Sequence, residues 1–467
     1  MPRFISLTVL LARARSIAVH SNRRVLIMAA LVLTCSSLGF ASTVAVGMCT
    51  NLAFYSSIQL AINSVPAGST IKVCPGTYQD QILITKSLTL VGESGNGNSG
   101  ATAAGTNNPV IEPPASGLAT NASDLFDGSG IAAQIAIVTP SGAAHPIVVN
   151  ISNLTVDGSN NLVSGCGPDL VGIYYQNASG TVNHVVARNT ELGSGLGGCQ
   201  SGLAIYAESG YGSGGTSAIT IENSSVHNFQ KNGITVDGSG TVATVLGNYV
   251  VGQGATPVIA QNGIQVSDGA NGKVTNNTVT DDVYVNPSDC STTTPPSCYS
   301  ASGILLYDSG GSMASGLTIS GNVVSNTQGG IVLVADSSGT ADYNTLTSNK
   351  VTTTLAAGPY LLDGIDLCGS HNTANMNNVF NSSGSGIHID SSCTESDGQS
   401  GNDTTLTTNT INEACAGVLT GNGTGNSVSG TLTFNVGETS SAGDSCPGTG
   451  ASAMRIAVKL KPSPKRP

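Results

Sequence analysis

Gly233-Ile234-Thr235-Val236 is a phrase of glycine, aliphatic residue, variable residue and aliphatic residue, which the chain repeats with small changes nine times. The repeats begin 22 to 40 residues apart, at Gly172, Gly202, Gly233, Gly263, Gly303, Gly330, Gly364, Gly386 and Gly417. A second motif, close to Asn-x-Val, recurs with similar spacing, once for most of the first, at Asn223, Asn248, Asn277, Asn322, Asn349, Asn378 and Asn409. Short strands repeated in this way cannot bury a face alone, so each repeat must stack on its neighbours. The spacing therefore predicts an all-β solenoid, a parallel β-helix.

Composition and charge narrow the class of protein and of partner. Gly accounts for 60 of 467 residues and charged residues for only 9%, as expected for a folded chain that turns often. All 27 acidic residues lie between Asp80 and Asp444, whereas residues 42–450 contain six basic ones, so this body carries 6 minus 27, or −21. That charge disfavours nucleic acid as a partner. It also opposes a polyuronate unless bound cations intervene.

The first 41 residues have the pattern of a secretory signal peptide. Arg23 and Arg24 precede the apolar run 25–34, and residues 39–41 offer small residues at the two positions that define cleavage. A membrane anchor fits less well because the run is short for a span. A lipid anchor at Cys35 fits less well because the residues before it lack the expected small side chain. We therefore expect a secreted, extracellular or periplasmic protein with no membrane span in the mature chain.

The ten cysteines beyond the signal are an even number, as an oxidising compartment favours. No C-x-x-C pair occurs, so a metal-thiolate site is a poorer explanation. We predict disulfides between sequence neighbours: Cys49 with Cys74, Cys166 with Cys199, Cys290 with Cys298, Cys368 with Cys393, and Cys415 with Cys446.

The segment before the repeats predicts how the solenoid begins. Ser57 has the character of a helix cap, and apolar residues follow it at helical spacing, which predicts a short helix over the open end. The stretch 70–78 and the strand-like 88–92 come next, and with the Gly-Ile repeats they resemble the pectin-lyase-like superfamily over residues 49–440. The resemblance implies a single-stranded right-handed parallel β-helix of the kind found in carbohydrate-binding and sugar-hydrolase domains. The domain prediction is a signal at 1–41, a β-helix at 42–440 and a basic, flexible tail at 441–467, with surface attachment of the tail as the alternative.

The catalytic phrases of the known enzyme families in this superfamily are largely missing. Of the four polygalacturonase phrases only the acidic pair Asp281-Asp282 occurs, and an isolated acidic pair is usually solvated surface. Arg188 is the single arginine of the body, without the surroundings that pectate lyases use. The pectin methylesterase phrases are absent. None of these three activities can be assigned from the resemblance.

Strand alternation predicts which side chains of each repeat face inward. The residues predicted to face inward are Ile234, Ile264, Ile304, Ile331, Ile365 and Ile387, with Val236, Val266, Leu306, Leu333, Leu367 and Ile389. The predicted exposed columns are Tyr174, Gln176, Tyr206, Thr235, Asp237, Gln265, Ser267, Tyr307, Asp366, His388 and Asp390. We take Tyr174, Tyr206, Asp237, Gln265 and Tyr307 as candidate glycan-binding residues, because sugars stack on aromatic rings and bond to polar groups. An ordinary soluble sheet face has the same composition.

The candidate catalytic residues are Asp366, His388 and Asp390. Gly364 and Gly386 are 22 residues apart, so Asp366 and His388 should lie side by side at about 4.8 Å, with Asp390 about 8 Å from Asp366. Two carboxyl groups at such a separation suit inverting glycoside hydrolysis. The same three residues suit a cation site, with Ca²⁺ as the cofactor candidate, or a solvated histidine between two carboxylates.

Two functions remain open. The first is a non-catalytic β-helix that binds carbohydrate or acts at the cell surface, which the missing family phrases favour. The second is a polysaccharide-degrading hydrolase or lyase that works along a groove of the β-helix. Both imply a polysaccharide or a cell-surface glycan as the partner.

Overall fold

A computed structural model describes residues 40–93, 108–285, 297–309, 316–335, 339–353, 362–391, 401–443, 446 and 455–456. The predicted signal lies largely outside these ranges, as does nearly all of the basic tail. The described chain is a single-stranded right-handed parallel β-helix with a short N-terminal helix, so the predicted fold class is confirmed. Each coil contributes strands to three parallel ladders that run along the solenoid.

The first ladder forms a sheet of its own. Its strands, in spatial order, are Phe54–Tyr55, Thr43–Val46, Thr70–Val73, Leu88–Gly92, Val148–Ser152, Ser179–Asn183, Ser217–Glu222, Thr241–Leu246, Asn271–Thr275, Thr318–Ser320, Thr345–Thr347, Thr373–Asn375, Thr405–Thr407 and Ser427–Ser429. The first of these strands along the chain is Thr43–Val46, and the resemblance had been drawn from residue 49 onwards.

The second and third ladders share one sheet because two long strands near the C-terminus cross both of them. The second ladder contains Thr77–Gln79, Val110–Glu112, Thr155–Asp157, Val186–Thr190, Ser225–Phe229, Tyr249–Thr256, Thr278–Tyr284, Val323–Thr327, Lys350–Thr353 and Asn378–Phe380. The third contains Ile82–Ile84, Gly130–Val138, Asp169–Gln176, Leu203–Glu208, Asn232–Asp237, Asn262–Ser267, Ser302–Tyr307, Gly329–Val334, Ile365–Leu367 and Ser385–Ile389. The strands common to both are Thr410–Thr420 and Leu432–Ala442.

Two further pairings lie outside the parallel ladders. Ala122–Ser123 runs antiparallel beside Gly130–Val138, and Ser297–Cys298 pairs with Arg455–Ile456. The first of these matters for function, because it carries the segment after residue 123 over the outer face of the third ladder.

The interior is formed by the predicted inward columns. Every predicted inner residue, from Ile234 to Ile387 and from Val236 to Ile389, is at most 1% exposed, so this prediction is confirmed. They belong to one continuous apolar core that runs from Val44 to Val418. Apolar burial of this extent is the main force that stacks the coils.

The repeated glycines are required by close packing between coils. A Cβ atom on Gly364 would lie 2.3 Å from Val379 Cγ1 and 2.8 Å from the carbonyl oxygen of Gly386. Gly202 was wrongly assigned to this position, because Ala204 is the residue that aligns with Gly233.

The Asn-x-Val phrase builds a buried ladder of amides. Asn248, Asn277, Asn322, Asn349, Asn377 and Asn409 each align with the next, and each Oδ1 after the first accepts from the backbone N–H and Nδ2 of the preceding asparagine. Each Nδ2 also donates to a backbone carbonyl, as Asn349 does to Ile319. At two places the ladder residue stands one position from the asparagine of the phrase: Asn377 instead of Asn378, and Ser224 instead of Asn223 before Asn248.

The N-terminal helix spans Ile58–Ser64, and the Oγ of Ser57 accepts from the N–H of Leu60, as predicted. Its buried residues Ile58, Ala61 and Ile62 join the core. Among the described residues, no helix is both long enough and apolar enough to cross a membrane.

Three of the predicted disulfides are confirmed: Cys49 with Cys74, Cys166 with Cys199, and Cys415 with Cys446. The other two pairings involve Cys290 and Cys393, which lie outside the described residues.

Candidate functional site

The outward columns of the third ladder are buried, so the predicted exposure was wrong. Gln176 is half-buried, and no other column member exceeds the 8% exposure of Tyr307. The columns nevertheless lie in the expected register, for example Tyr174 beside Tyr206 and Asp366 beside His388. Polar side chains are therefore enclosed on the outer face and gather into clusters.

The first group, here called the acidic–tyrosine cluster, consists of Asp124, Tyr174, Tyr206, Glu208, Tyr211, Asp237 and Asp268. Strand pairing places Glu208 directly beside Asp237, and the chain turns out of the third ladder just before Asp268. Asp124 and Tyr211 come from loops over the face, the first after the antiparallel strand Ala122–Ser123 and the second in a short 3-10 turn, Tyr211–Ser213.

Hydroxyl groups connect the carboxyl groups of this cluster. Tyr206 lies at the centre, with its hydroxyl oxygen 3.1 Å from Glu208 Oε2 and 3.3 Å from an oxygen of both Asp237 and Asp124. Tyr174 bonds to Glu208 Oε1, which also accepts from the N–H of Leu125 at 2.8 Å.

Asp237 is the most heavily bonded carboxyl of the cluster. Tyr211 donates to its Oδ2 at 2.6 Å, and Ser267 donates to its Oδ1 at 2.7 Å. Asp268 is its second acidic neighbour, and the charge of Asp237 acts on it.

Burial and mutual repulsion hold protons on these acids. Burial, followed by the charge of Asp237, raises the pKa of Asp268 to about 9. Burial and the charge of Asp124 raise the pKa of Glu208 well above its usual value. Burial also raises the pKa of Asp124. The cluster therefore contains carboxyl groups that stay protonated at neutral pH, as a general acid must.

The cluster reaches solvent on one side. Asp124, Tyr211 and Asp268 are half-buried, whereas Glu208 is fully enclosed beneath them. Phe126 is 37% exposed, and its ring centroid lies 5.4 Å from that of Tyr211 in an edge-on arrangement. Two aromatic rings at the mouth of a group of acids provide both apolar contact and hydrogen bonding for a sugar.

The raised pKa of Asp268 predicts a pH-dependent stability. Between the unfolded value of about 3.9 and about 9 the folded protein binds the extra proton, so stability falls as the pH rises through this interval. Asp268→Asn removes that contribution. We expect its Tm to exceed that of the wild type more at pH 8.5 than at pH 5, by differential scanning calorimetry. Glu438→Gln, on an exposed strand, is the control. An identical dependence of Tm on pH in Asp268→Asn and wild type would contradict the prediction.

The remaining two binding candidates lie further along the columns. Gln265 belongs to an amide network, accepting from Asn232 and Asn262 and donating to Ser267 at 3.1 Å. Ser267 links this network to Asp237. Tyr307 is buried beside Ser267 and is outside the cluster as defined here.

The second group, here called the histidine cluster, consists of Asp363, Asp366, His388 and Asp390. His388 Nδ1 lies 3.0 Å from Asp363 Oδ2, and its Nε2 lies 3.9 Å from Asp390 Oδ1. The structure brings together all three predicted catalytic residues and adds Asp363. All four are buried, so the solvated alternative was wrong. Their catalytic role stays a prediction.

Sequence reasoning missed Asp124, Glu208, Tyr211, Asp268 and Asp363. Glu208 was recoverable, because aligning Ala204 with Gly233 places it in the column of Asp237. Asp124 lies 82 residues before Tyr206, so no repeat pattern links them.

No protein-family model matches the chain, and no curated protein sequence matches it. Among solved structures, the chain is similar to parallel β-helix proteins. The A-module of the Azotobacter vinelandii mannuronan C-5 epimerase AlgE4 matches with a TM-score of 0.51 at 14% identity, over 82% of this chain and 92% of that chain. The periplasmic alginate epimerase AlgG matches with a TM-score of 0.44 at 12% identity, over 83% and 82%. The Dettilon tailspike protein matches with a TM-score of 0.45 at 15% identity, over 79% of this chain and 62% of that chain. Identities this low establish a shared fold only.

Proposed function

We propose that this chain is an exported protein that acts on a polysaccharide at the acidic–tyrosine cluster, with glycoside hydrolysis as the reaction. The observation that carries the proposal is the group of acids around Asp237, which accepts from Tyr211 and Ser267, at a mouth formed with Phe126. Three disulfides in the described chain fit an oxidising compartment outside the cytosol. The β-helix neighbour named as a mannuronan epimerase is consistent with a glycan partner.

The half-buried acids receive the catalytic roles. Asp268, whose pKa is raised to about 9, is the general acid that protonates the leaving glycosidic oxygen. Asp124, the other half-buried acid at the mouth, is the carboxylate that activates the attacking water. Asp237 is a positioning residue, because it accepts from Tyr211 and its charge acts on Asp268.

The charge of the site limits the substrate. The described part of the cluster contains carboxyl and phenol groups and no basic side chain, within a body of charge −21. A polyuronate would meet like charge here. We therefore propose a neutral or amino-sugar glycan, held by the faces and edges of Phe126 and Tyr211.

Binding without turnover is the second candidate. It is favoured by the complete enclosure of Glu208 and Tyr174, whose hydrogen bonds to each other leave little for a substrate to contact. In this case Phe126 and Tyr211 would form the whole glycan contact.

The test uses residues 42–467 as a purified, disulfide-bonded protein on neutral, amino-sugar and acidic polysaccharides. New reducing ends report hydrolysis, ultraviolet absorbance reports unsaturated products, and affinity electrophoresis reports binding. We expect reducing ends from a neutral or amino-sugar glycan, and a loss of kcat of about 100-fold or more in Asp268→Asn. Phe126→Ala should weaken binding by about 0.5 to 1.5 kcal/mol.

Glu438→Gln, exposed on a strand of the last coils, is the matched carboxylate control and should keep wild-type turnover and affinity. If the wild type binds a glycan without turnover, and Phe126→Ala weakens that binding, the protein is a binding protein and hydrolysis is rejected. Full turnover in Asp268→Asn, or unchanged affinity in Phe126→Ala on the same glycan, would place the site elsewhere.

A further inference from the structure

We propose that the histidine cluster binds one divalent transition-metal cation, of the Zn²⁺ or Mn²⁺ type, through Asp363, Asp366 and His388. This site is separate from the acidic–tyrosine cluster, and the inference does not depend on the proposed hydrolysis. It rests on the arrangement of the ligand atoms, on the charge balance of the cluster and on the chemistry of the donor set.

The ligand atoms converge on one point. One carboxylate oxygen of each of Asp363 and Asp366 and one ring nitrogen of His388 lie within 4.8 Å of one another. The separation of 3.0 Å between Asp363 Oδ2 and His388 Nδ1 is what two ligands about 2.1 Å from a metal, at right angles, would have. A shared proton explains the same distance, and the two explanations are distinguished by the test below.

The cluster is built so that these atoms are held in place. Asp363 Oδ1 accepts from both the N–H and the Oγ of Ser385 at 2.6 Å, which turns Oδ2 towards His388. Asp366 and His388 are paired residues of adjacent strands, Ile365–Leu367 and Ser385–Ile389. Asp390 faces the other ring nitrogen of His388, in the place where a carboxylate fixes the tautomer of a metal-bound histidine.

A bound cation would reduce the cost of burying the charges of this cluster. Three carboxyl groups are buried around one imidazole, and burying several negative charges together is costly unless protons or a cation neutralise them. A divalent ion would balance Asp363 and Asp366.

The donor set selects the kind of ion. Ca²⁺ takes oxygen ligands in proteins, whereas imidazole nitrogen suits Zn²⁺ and its neighbours, and carboxylate oxygen suits Mn²⁺. A metal held by these three residues would connect two successive coils near the C-terminal end of the solenoid. Because binding stabilises the folded state, adding the ion should raise the Tm of the protein.

The experiment uses residues 42–467 without a polyhistidine tag, treated with chelator and then dialysed free of it. Calorimetric titration with ZnCl₂ should give one equivalent bound, with CaCl₂ binding more weakly. Asp366→Asn and His388→Gln should each weaken the affinity by about 100-fold or more. His371→Gln is the matched control, since His371 pairs with Asp403 at 3.9 Å on the surface and should bind as the wild type does.

A readout on the wild-type chain keeps the test valid if a variant misfolds. Electron paramagnetic resonance of bound Mn²⁺ should show nitrogen hyperfine coupling from one imidazole. Absence of stoichiometric binding, absence of nitrogen coupling, or equal affinity in folded Asp366→Asn and wild type would each overturn the site and leave a shared proton between Asp363 and His388.

Discussion

Replacing Asn377 by alanine is expected to lower the free energy of unfolding by about 3 to 5 kcal/mol, because it leaves several buried polar groups unpaired at once. The Oδ1 of Asn377 accepts from the N–H and the Nδ2 of Asn349, at 3.0 and 2.9 Å. Its Nδ2 donates to the carbonyl of Leu346 and to Asn409 Oδ1. Alanine supplies none of these bonds, and the ladder is sealed from water.

The neighbouring residue provides the control. Asn378 begins the strand Asn378–Phe380 with its side chain exposed, so Asn378→Ala should change stability by no more than about 0.5 kcal/mol. Urea unfolding of both variants with disulfides intact, followed by far-ultraviolet circular dichroism, compares them directly. Similar midpoints for Asn377→Ala and Asn378→Ala would show that the ladder is not a main source of stability.

Replacing Asp282 by valine is expected to stabilise the protein by about 1 to 3 kcal/mol at neutral pH. Sequence reasoning placed Asp281-Asp282 on a solvated surface, but Asp282 is fully buried, and neither of its carboxyl oxygens has a hydrogen-bond partner among the described residues. Burial, together with the charge of Asp281, raises the pKa of Asp282 well above its usual value. Valine is a strand-forming residue that removes the unpaired oxygens.

The stabilisation by Asp282→Val should grow with pH. Because the folded-state pKa of Asp282 lies above the unfolded value, the wild type loses stability as the pH rises from about 4, and the variant does not. Glu438→Gln, exposed on a strand of the last coils, is the control and should leave the pH dependence of stability unchanged. A stabilisation by Asp282→Val that is equal at pH 5 and pH 8.5 would contradict the assigned cause.

The interior of this fold was predictable because it depends on local periodicity. Residues such as Ile264 and Val266 alternate within one strand, and the repeat spacing aligns each with its counterpart in the next coil. The register of the outward residues in the same strands was predicted equally well. Their exposure was predicted wrongly, because they are buried. Their burial depends on contacts that no period encodes, such as Tyr174 with the carbonyl of Ser123, 51 residues away.

The two clusters differ in how far the sequence could reach them. The spacing of 22 residues between Gly364 and Gly386 was enough to place Asp366 beside His388. Asp363 was missed because it lies before the strand, which the chain enters at Gly364, so strand alternation does not predict its direction. Asp363 and Asp366 both approach His388, although they lie on opposite sides of Gly364 in the sequence. Asp124 and Tyr211 come from loops between repeats, whose course is not set by the repeat itself.

The asparagine ladder also gives the solenoid a direction. Between Asn248 and Asn409 each amide donates towards the coil that follows it, so the hydrogen bonds form a chain polarised along the axis. The backbone N–H and one Nδ2 hydrogen of each asparagine are paired only when the next coil has docked. A solenoid that stops within the series would therefore leave these donors unpaired at its C-terminal end. The length of the solenoid is therefore adjustable in whole coils. An added coil that carries its own asparagine extends the chain of amides. A solenoid that ends within the series needs a different cap for its last donors.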